Sequence, residues 1–234
     1  MSRPLRRGLA PLLAGLLLGL AWPAPAFVPS AARIATALAK ANRKAGRARP
    51  LELDVVVRID EIEVAAGTWL TDPRGMGRLE LHHQKGFDER HLLLFGNHLA
   101  ARDGKALRNP HVLLPPLAWM QAGDATALLA RLGSLGIATD QVALGYEGDH
   151  DCWVIGGRGG GPAAWIDMQT RAPVRLDWQG VRIWVGPDRE EGGIRVPAWL
   201  EVEAADSDPV RLEIRGFRPT VVTPETFASA WLGS

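Results

Sequence analysis

Apolar and polar side chains between Pro162 and Val185 alternate in a way that few folds allow. Ala164-Trp165-Ile166-Asp167 reads as a strand, Met168 to Ala172 as a polar turn, and Val174-Arg175-Leu176-Asp177-Trp178 as a second strand with one apolar face. Gln179-Gly180 turns the chain again, after which Val181, Ile183 and Val185 alternate with Arg182 and Trp184. Three antiparallel strands in succession form a meander, and the apolar face of a meander must be covered by something apolar.

The same period recurs on both sides of this stretch. Leu51, Leu53, Val55, Val57 and Ile59 alternate with Glu52, Asp54 and Arg58, and the parity then shifts at Ile62 and Val64, as a bulge or tight bend near Asp60-Glu61 would produce. Further strands are expected at Thr68 to Leu70, around Leu79 and Leu81, over His91 to Phe95, Val142 to Tyr146, Cys152 to Ile155, Ile194 to Val202 and Val210 to Phe217. Asp72-Pro73-Arg74-Gly75 and Asp103-Gly104 mark turns. Two stretches keep a helical period instead. Pro29 to Ala48 is Ala-rich, with Ser30 as N-cap and Gly46 and Pro50 at its end, while Asp124 caps a second helix with Leu128, Leu129, Leu132 and Leu135 on one face. His111 to Met120 is apolar but holds two prolines, which suits a loop that plugs a core or covers a pocket. Thr223 to Phe227 reads as a short terminal helix with Pro at its first position. Nothing in this order has a βαβ rhythm, so a parallel sheet is not expected. The expected class is α+β: about ten antiparallel strands in one strongly curved sheet, with the N-terminal and central helices over its concave face.

The start of the chain bears on compartment. Arg3, Arg6 and Arg7 form a basic region, Leu9 to Ala21 an apolar one, and Ala24-Pro25-Ala26 a small-x-small site, the pattern of a secretory signal peptide over residues 1–26. The apolar run is short for a membrane span. Residues 27–234 are then expected to form a single domain in the periplasm, unlipidated because no Cys lies near the cleavage site. Losing three arginines turns the formal charge from +1 to −2, and so near-neutral a surface argues against a nucleic-acid partner. Cys152 is the single cysteine, so stability must come from packing rather than from an internal disulfide. Nine Trp against one Tyr supply broad apolar surface for a core or a pocket wall.

Candidate chemistry is sparse. Asp149-His150-Asp151-Cys152 is dense in ligand types, but neighbouring strand side chains point to opposite faces, so the four cannot converge on one ion. His82, His83 and His91 fall on adjacent strands without a clearly paired carboxylate and read as solvated histidines. Gly156 to Gly161 lacks the Lys-Ser/Thr of a phosphate loop and reads as a flexible hairpin loop. No nucleophile elbow or zinc-protease motif is present. No enzyme activity, metal or cofactor is expected.

The strand Trp165-Ile166-Asp167, its turn, and Pro173-Val174-Arg175-Leu176 resemble the central hairpin of the LolA/LolB-like superfamily of periplasmic lipoprotein and lipid carriers, as does Leu132-Gly133-Ser134-Leu135-Gly136-Ile137 followed by Val142 and Leu144. The resemblance implies an unclosed β-barrel with helices in its mouth. It further implies a chaperone-like carrier of a lipid or lipoprotein acyl chains, working in outer-membrane biogenesis between an inner-membrane exporter and an outer-membrane acceptor. A regulatory module of the same fold that senses mislocalised lipoproteins or lipids is the alternative. A curved sheet can enclose a hydrophobic cavity. Strand parity offers Val55, Val57, Leu79, Leu81, Leu93, Phe95, Trp165, Leu176, Trp178, Ile183, Leu200 and Leu212 as its lining, together with Leu53 and Ile214, and Leu38, Leu113, Leu114 and Leu129 as its lid.

Overall fold

The structure, a computed structural model, describes residues 28–108, 114–205 and 207–233. The signal-peptide reading and Leu113 lie outside the described residues. Helix α1 (Ala31–Lys44) starts at Ser30, whose hydroxyl accepts from the Arg33 N–H, and it buries Ile34, Ala35, Leu38 and Ala39 along one face. Strands β1 (Leu51–Ile59), β2 (Ile62–Asp72), β3 (Met76–His83), β4 (Asp88–Leu94), β5 (Asn97–Arg102) and β6 (Lys105–Ala106) follow as a meander. The parity shift near Asp60-Glu61 is a two-residue hairpin turn with both residues at positive φ, 48° and 64°, so β1 and β2 are separate long strands.

Two helices then cross the sheet. Short α2 (Ala118–Gln121) follows the proline-bearing segment, and α3 (Ala125–Ser134) starts at Asp124, whose carboxylate accepts from the Ala127 N–H at 2.8 Å. The chain returns through β7 (Val142–Glu147), β8 (His150–Gly156), β9 (Ala163–Asp167), β10 (Pro173–Trp178) and β11 (Val181–Val185). A separate hairpin, β12 (Asp188–Glu191) with β13 (Ile194–Pro197), precedes β14 (Trp199–Ala204) and β15 (Val210–Pro219). Ala198 interrupts the strand expected over Ile194 to Val202, and the expected terminal helix is a 3-10 turn over Pro224–Phe227, followed by another over Ser229–Gly233.

Thirteen strands pair antiparallel in the order β6-β5-β4-β3-β2-β1-β15-β14-β11-β10-β9-β8-β7. The first and last strands of the chain, β1 and β15, meet in the middle, and the two edges β6 and β7 do not pair with each other, so the curved sheet stays open. There are more strands than the ten expected, because β5, β6 and β12 fall in stretches not read as strands and Ala198 divides the run from Ile194 to Val202.

Paired residues share a face, which gives the layers directly. Leu200, Leu212, Val57 and Ala65 form one rung across β14, β15, β1 and β2, and Ala164, Leu176, Ile183 and Val202 another across β9, β10, β11 and β14. Both rungs lie beneath the helices, packed in one cluster with Leu38, Leu114, Trp119, Leu128 and Leu132. Buried polar groups join the helices to one another: Asn42 Nδ2 donates to the carbonyls of Trp119 (3.3 Å) and Ala122 (3.0 Å), and Arg47 Nε donates to Asn42 Oδ1 at 3.1 Å. Gln121 Nε2 ties this layer to the sheet through the Thr71 hydroxyl, at 2.8 Å.

Candidate functional site

Most residues expected to line a cavity do come together on the inner face. Leu53, Val55, Val57, Leu79, Leu81, Leu93, Leu176, Trp178, Ile183, Leu200, Leu212 and Ile214 are all buried there, as are Leu38 and Leu114 from the covering segments, while Leu129 is partly buried at the margin. In this arrangement the helices fill the space against them. The gap beside Leu93, Trp119 and Leu135 measures about 10 Å³, room for one water at most.

Two residues are placed differently from the expectation. Strand β4 ends at Leu94, so Phe95 falls in the positive-φ turn with Gly96, and the residue is 55 % exposed. Trp165 lies on the outer face: Ala164 is the partner of Leu176, and Trp165 that of Arg175. Its indole lies across β8, N–H donating to Asp177 Oδ2 at 2.9 Å, with the Arg175 guanidinium 3.9 Å from the ring centroid. Arg175 also approaches Trp184 at 5.2 Å and pairs with both Asp177 and Glu147. Trp165 and Trp178 nonetheless meet at one feature. At one end of β7 to β11 they border an open groove of about 910 Å³, with Ala143, Leu144, Ala163 and Val181 among its apolar walls.

Toward the opposite edge, the inner face carries a polar cluster that the sequence reading missed. Glu89 and His91 on β4 are buried, and His83 and His98 come from the neighbouring strands. The Glu89 carboxylate sits 3.3 Å from His83 Nε2 and 3.4 Å from His91 Nε2, with Arg102 on its other oxygen; His91 Nδ1 is 3.2 Å from His98 Nε2. Burial alone would raise the Glu89 pKa, but hydrogen bonds from His91 and Arg102 and the nearby His charges outweigh it and hold the pKa at about 2. Burial, then the His91 charge, pushes His98 down to about 4. His83 and His91 are therefore not solvated. The visible signal was a carboxylate and an imidazole two residues apart, on the same parity as Leu93.

The Asp149 to Cys152 stretch splits as strand geometry requires. His150 Nδ1 pairs with Asp167 Oδ2 at 2.7 Å, and Cys152 is buried with its thiol pushed up to about 11 by burial and then by the Asp167 carboxylate. Among the described residues, no group of three or more His, Cys, Asp or Glu side chains is placed to hold a metal ion.

No protein-family model and no curated protein matches the chain. Solved structures do. A LolA superfamily protein from Nitrosomonas europaea superposes with a TM-score of 0.54 at 10% identity, over 88% of this chain and 100% of that one. A DUF1329 family protein from Desulfovibrio piger gives 0.50 at 10% identity, over 87% and 100%. A domain described as an outer membrane lipoprotein-sorting protein from Vibrio parahaemolyticus gives 0.50 at 7% identity, over 84% and 98%. At such identities the likeness speaks for architecture, and the architecture agrees with the layers described above: the chain has the fold of the LolA superfamily, an open, curved antiparallel sheet with helices over its inner face.

Proposed function

We propose that this protein is a non-catalytic periplasmic carrier that binds a lipid, or the acyl chains of a lipoprotein, against the inner face of its sheet and hands it on towards the outer membrane. One observation carries the reading: the inner face is apolar from β3 across to β9, and what covers it is a layer of helices, with Ile194 and Val196 of the small β12–β13 hairpin in the same cluster, rather than strands laddered to the main sheet. A helix layer can be displaced as a unit without breaking any strand ladder. Each methylene that replaces a helix side chain against Leu176, Ile183 or Leu212 gains about 0.8 kcal/mol on leaving water, so an acyl chain competes with the helices on their own terms. The lipoprotein-sorting description of one structural neighbour points to the same class of cargo. An exporter in the inner membrane and an acceptor in the outer membrane are the partners this route requires.

The test is native mass spectrometry of protein purified from cells, extraction of any bound lipid, and titration of the emptied protein with a fluorescent fatty acid. Uptake is expected in the wild type and lost in Leu176→Glu, which sets a carboxylate in the middle of the face, with circular dichroism verifying that the variant is folded. A protein that comes out empty and takes up no fatty acid refutes the proposal.

A further inference from the structure

The two edges of the sheet are treated differently. Edge β6 has two residues, and the 3-10 turn Ser229–Gly233 packs over β4, β5 and β6. Edge β7 has six residues, Val-Ala-Leu-Gly-Tyr-Glu, and among the described residues no strand pairs with its outer side. The Gly156 N–H donates to the Gln141 carbonyl at 3.0 Å, which sets the alternation of the ladder. Residues 141, 143, 145 and 147 thus face β8, and Val142, Leu144 and Tyr146 aim their N–H and C=O groups at the open side. Leu144 is 51 % exposed and Tyr146 68 %. Sheet proteins ordinarily blunt such an edge with Lys, Pro or a bulge, and β7 has none of these.

The groove begins where this edge ends. On the outer face β7 presents Ala143 and Gly145 beside Trp165, with Glu147 at its far end paired to Arg175, and a methyl at Gly145 would come within 2.5 Å of the Trp165 ring. The rim between the open edge and the groove is therefore low, and a side chain arriving on a strand beside β7 reaches over Ala143 and Gly145 to the Trp165 indole.

From this we infer that β7 and its groove form a docking site for an extended segment of another protein, which adds as an antiparallel strand, apolar at alternating positions and flanked by Lys or Arg. Main-chain bonds to Val142, Leu144 and Tyr146 supply the pairing, and the groove takes the alternate side chains. Charge decides the occupant. Asp140 lies at one end of β7, Asp149 and Asp151 at the other, all exposed and outside every ion pair among the described residues. A second copy paired about Leu144 would set Asp140 against Gly148 of its partner, between that copy's Glu147 and Asp149, and like charges facing across strands destabilise the pairing. A basic-flanked segment meets the same carboxylates favourably.

The test uses the full chain and a fluorescent synthetic peptide, Lys-Lys-Ile-Thr-Phe-Thr-Ile-Lys-Lys, with a Glu-flanked version of the same core. The Lys-flanked peptide should bind and slow amide exchange at Val142, Leu144 and Tyr146, with the Glu-flanked peptide about tenfold weaker or worse. Leu144→Pro removes one outward N–H without touching the β8 ladder and should weaken binding about tenfold. Tyr146→Lys should weaken it similarly, with both variants matching the wild type in circular dichroism. Absence of binding, equal binding of the two peptides, or affinity indifferent to both variants overturns the proposal. So does a concentration-dependent dimer that Leu144→Pro disperses, since a second copy would then own the edge.

Discussion

Acid should loosen this protein from the histidine-bearing part of its inner face, and His98→Gln isolates the effect. His98 stacks against His91 with centroids 5.3 Å apart, and its pKa of about 4 lies below the ordinary 6.5. The fold thus holds the neutral ring. Its contribution to stability is complete above pH 6.5 and is lost as the pH falls through 4, and the gap between the two values corresponds to about 3 kcal/mol. Glu89 acts with the same sign in a lower window: its contribution is complete above 4.5 and lost towards pH 2. His83, also pushed down by burial, adds to the upper window. Gln at position 98 can still hydrogen-bond to His91 but does not titrate. Urea unfolding at pH 7, 6, 5 and 4 should therefore show the wild type losing about 3 kcal/mol more than His98→Gln over that range, the two converging below it. Parallel pH profiles for both proteins would refute the reasoning.

Other perturbations read other layers. Leu176→Ala, at a site 1 % exposed, should cost about 3 kcal/mol in urea unfolding, and a cost below 1 would mean the inner face is not packed as described. Gly145→Ala sets a methyl 2.5 Å from the Trp165 ring and 2.7 Å from Val154, so about 1–3 kcal/mol of destabilisation with a shifted tryptophan emission is expected; unchanged melting and emission count against the Trp165 placement. Cys152, buried and with its thiol near 11, should react with a thiol reagent at pH 8 only in denaturant, and rapid labelling of the folded protein would contradict that burial.

The sheet and both main helices were legible because β-alternation and capping are local. Ser30 and Asp124 cap as their side chains predict, and Leu53, Val57 and Leu212 share a face because a charged neighbour fixes the parity of each. Trp165 escaped because Ala163, Ala164 and Ile166 are all apolar, so nothing local distinguishes the two faces; pairing with β10 does. Phe95 escaped because Leu92, Leu93 and Leu94 run on without a polar break, and the turn at Phe95-Gly96 is visible only as a φ of 50°. The Glu89 cluster depends on the β4–β5 register that sets His98 opposite Leu93, a non-local fact. The filling of the inner face was equally out of reach, since alternation names a face without saying how closely anything lies against it.

Asn42 bears on how the helix layer can leave the sheet. Sliding α1 away from α2 would strand its amide and the carbonyls of Trp119 and Ala122 in apolar surroundings, at about 1–3 kcal/mol for each group left unpaired. Lifting the layer off the strands breaks the bond from Gln121 to Thr71, and with it those from Arg131 to the Pro73 carbonyl, from Arg47 to Asp188 and from the Arg195 N–H to the Ala45 carbonyl. Asn42 therefore keeps the helices joined to one another even where their bonds to the strands are broken. Whatever pries this protein open should find a trapdoor that swings in one piece, with Asn42 as the cross-batten holding its planks together.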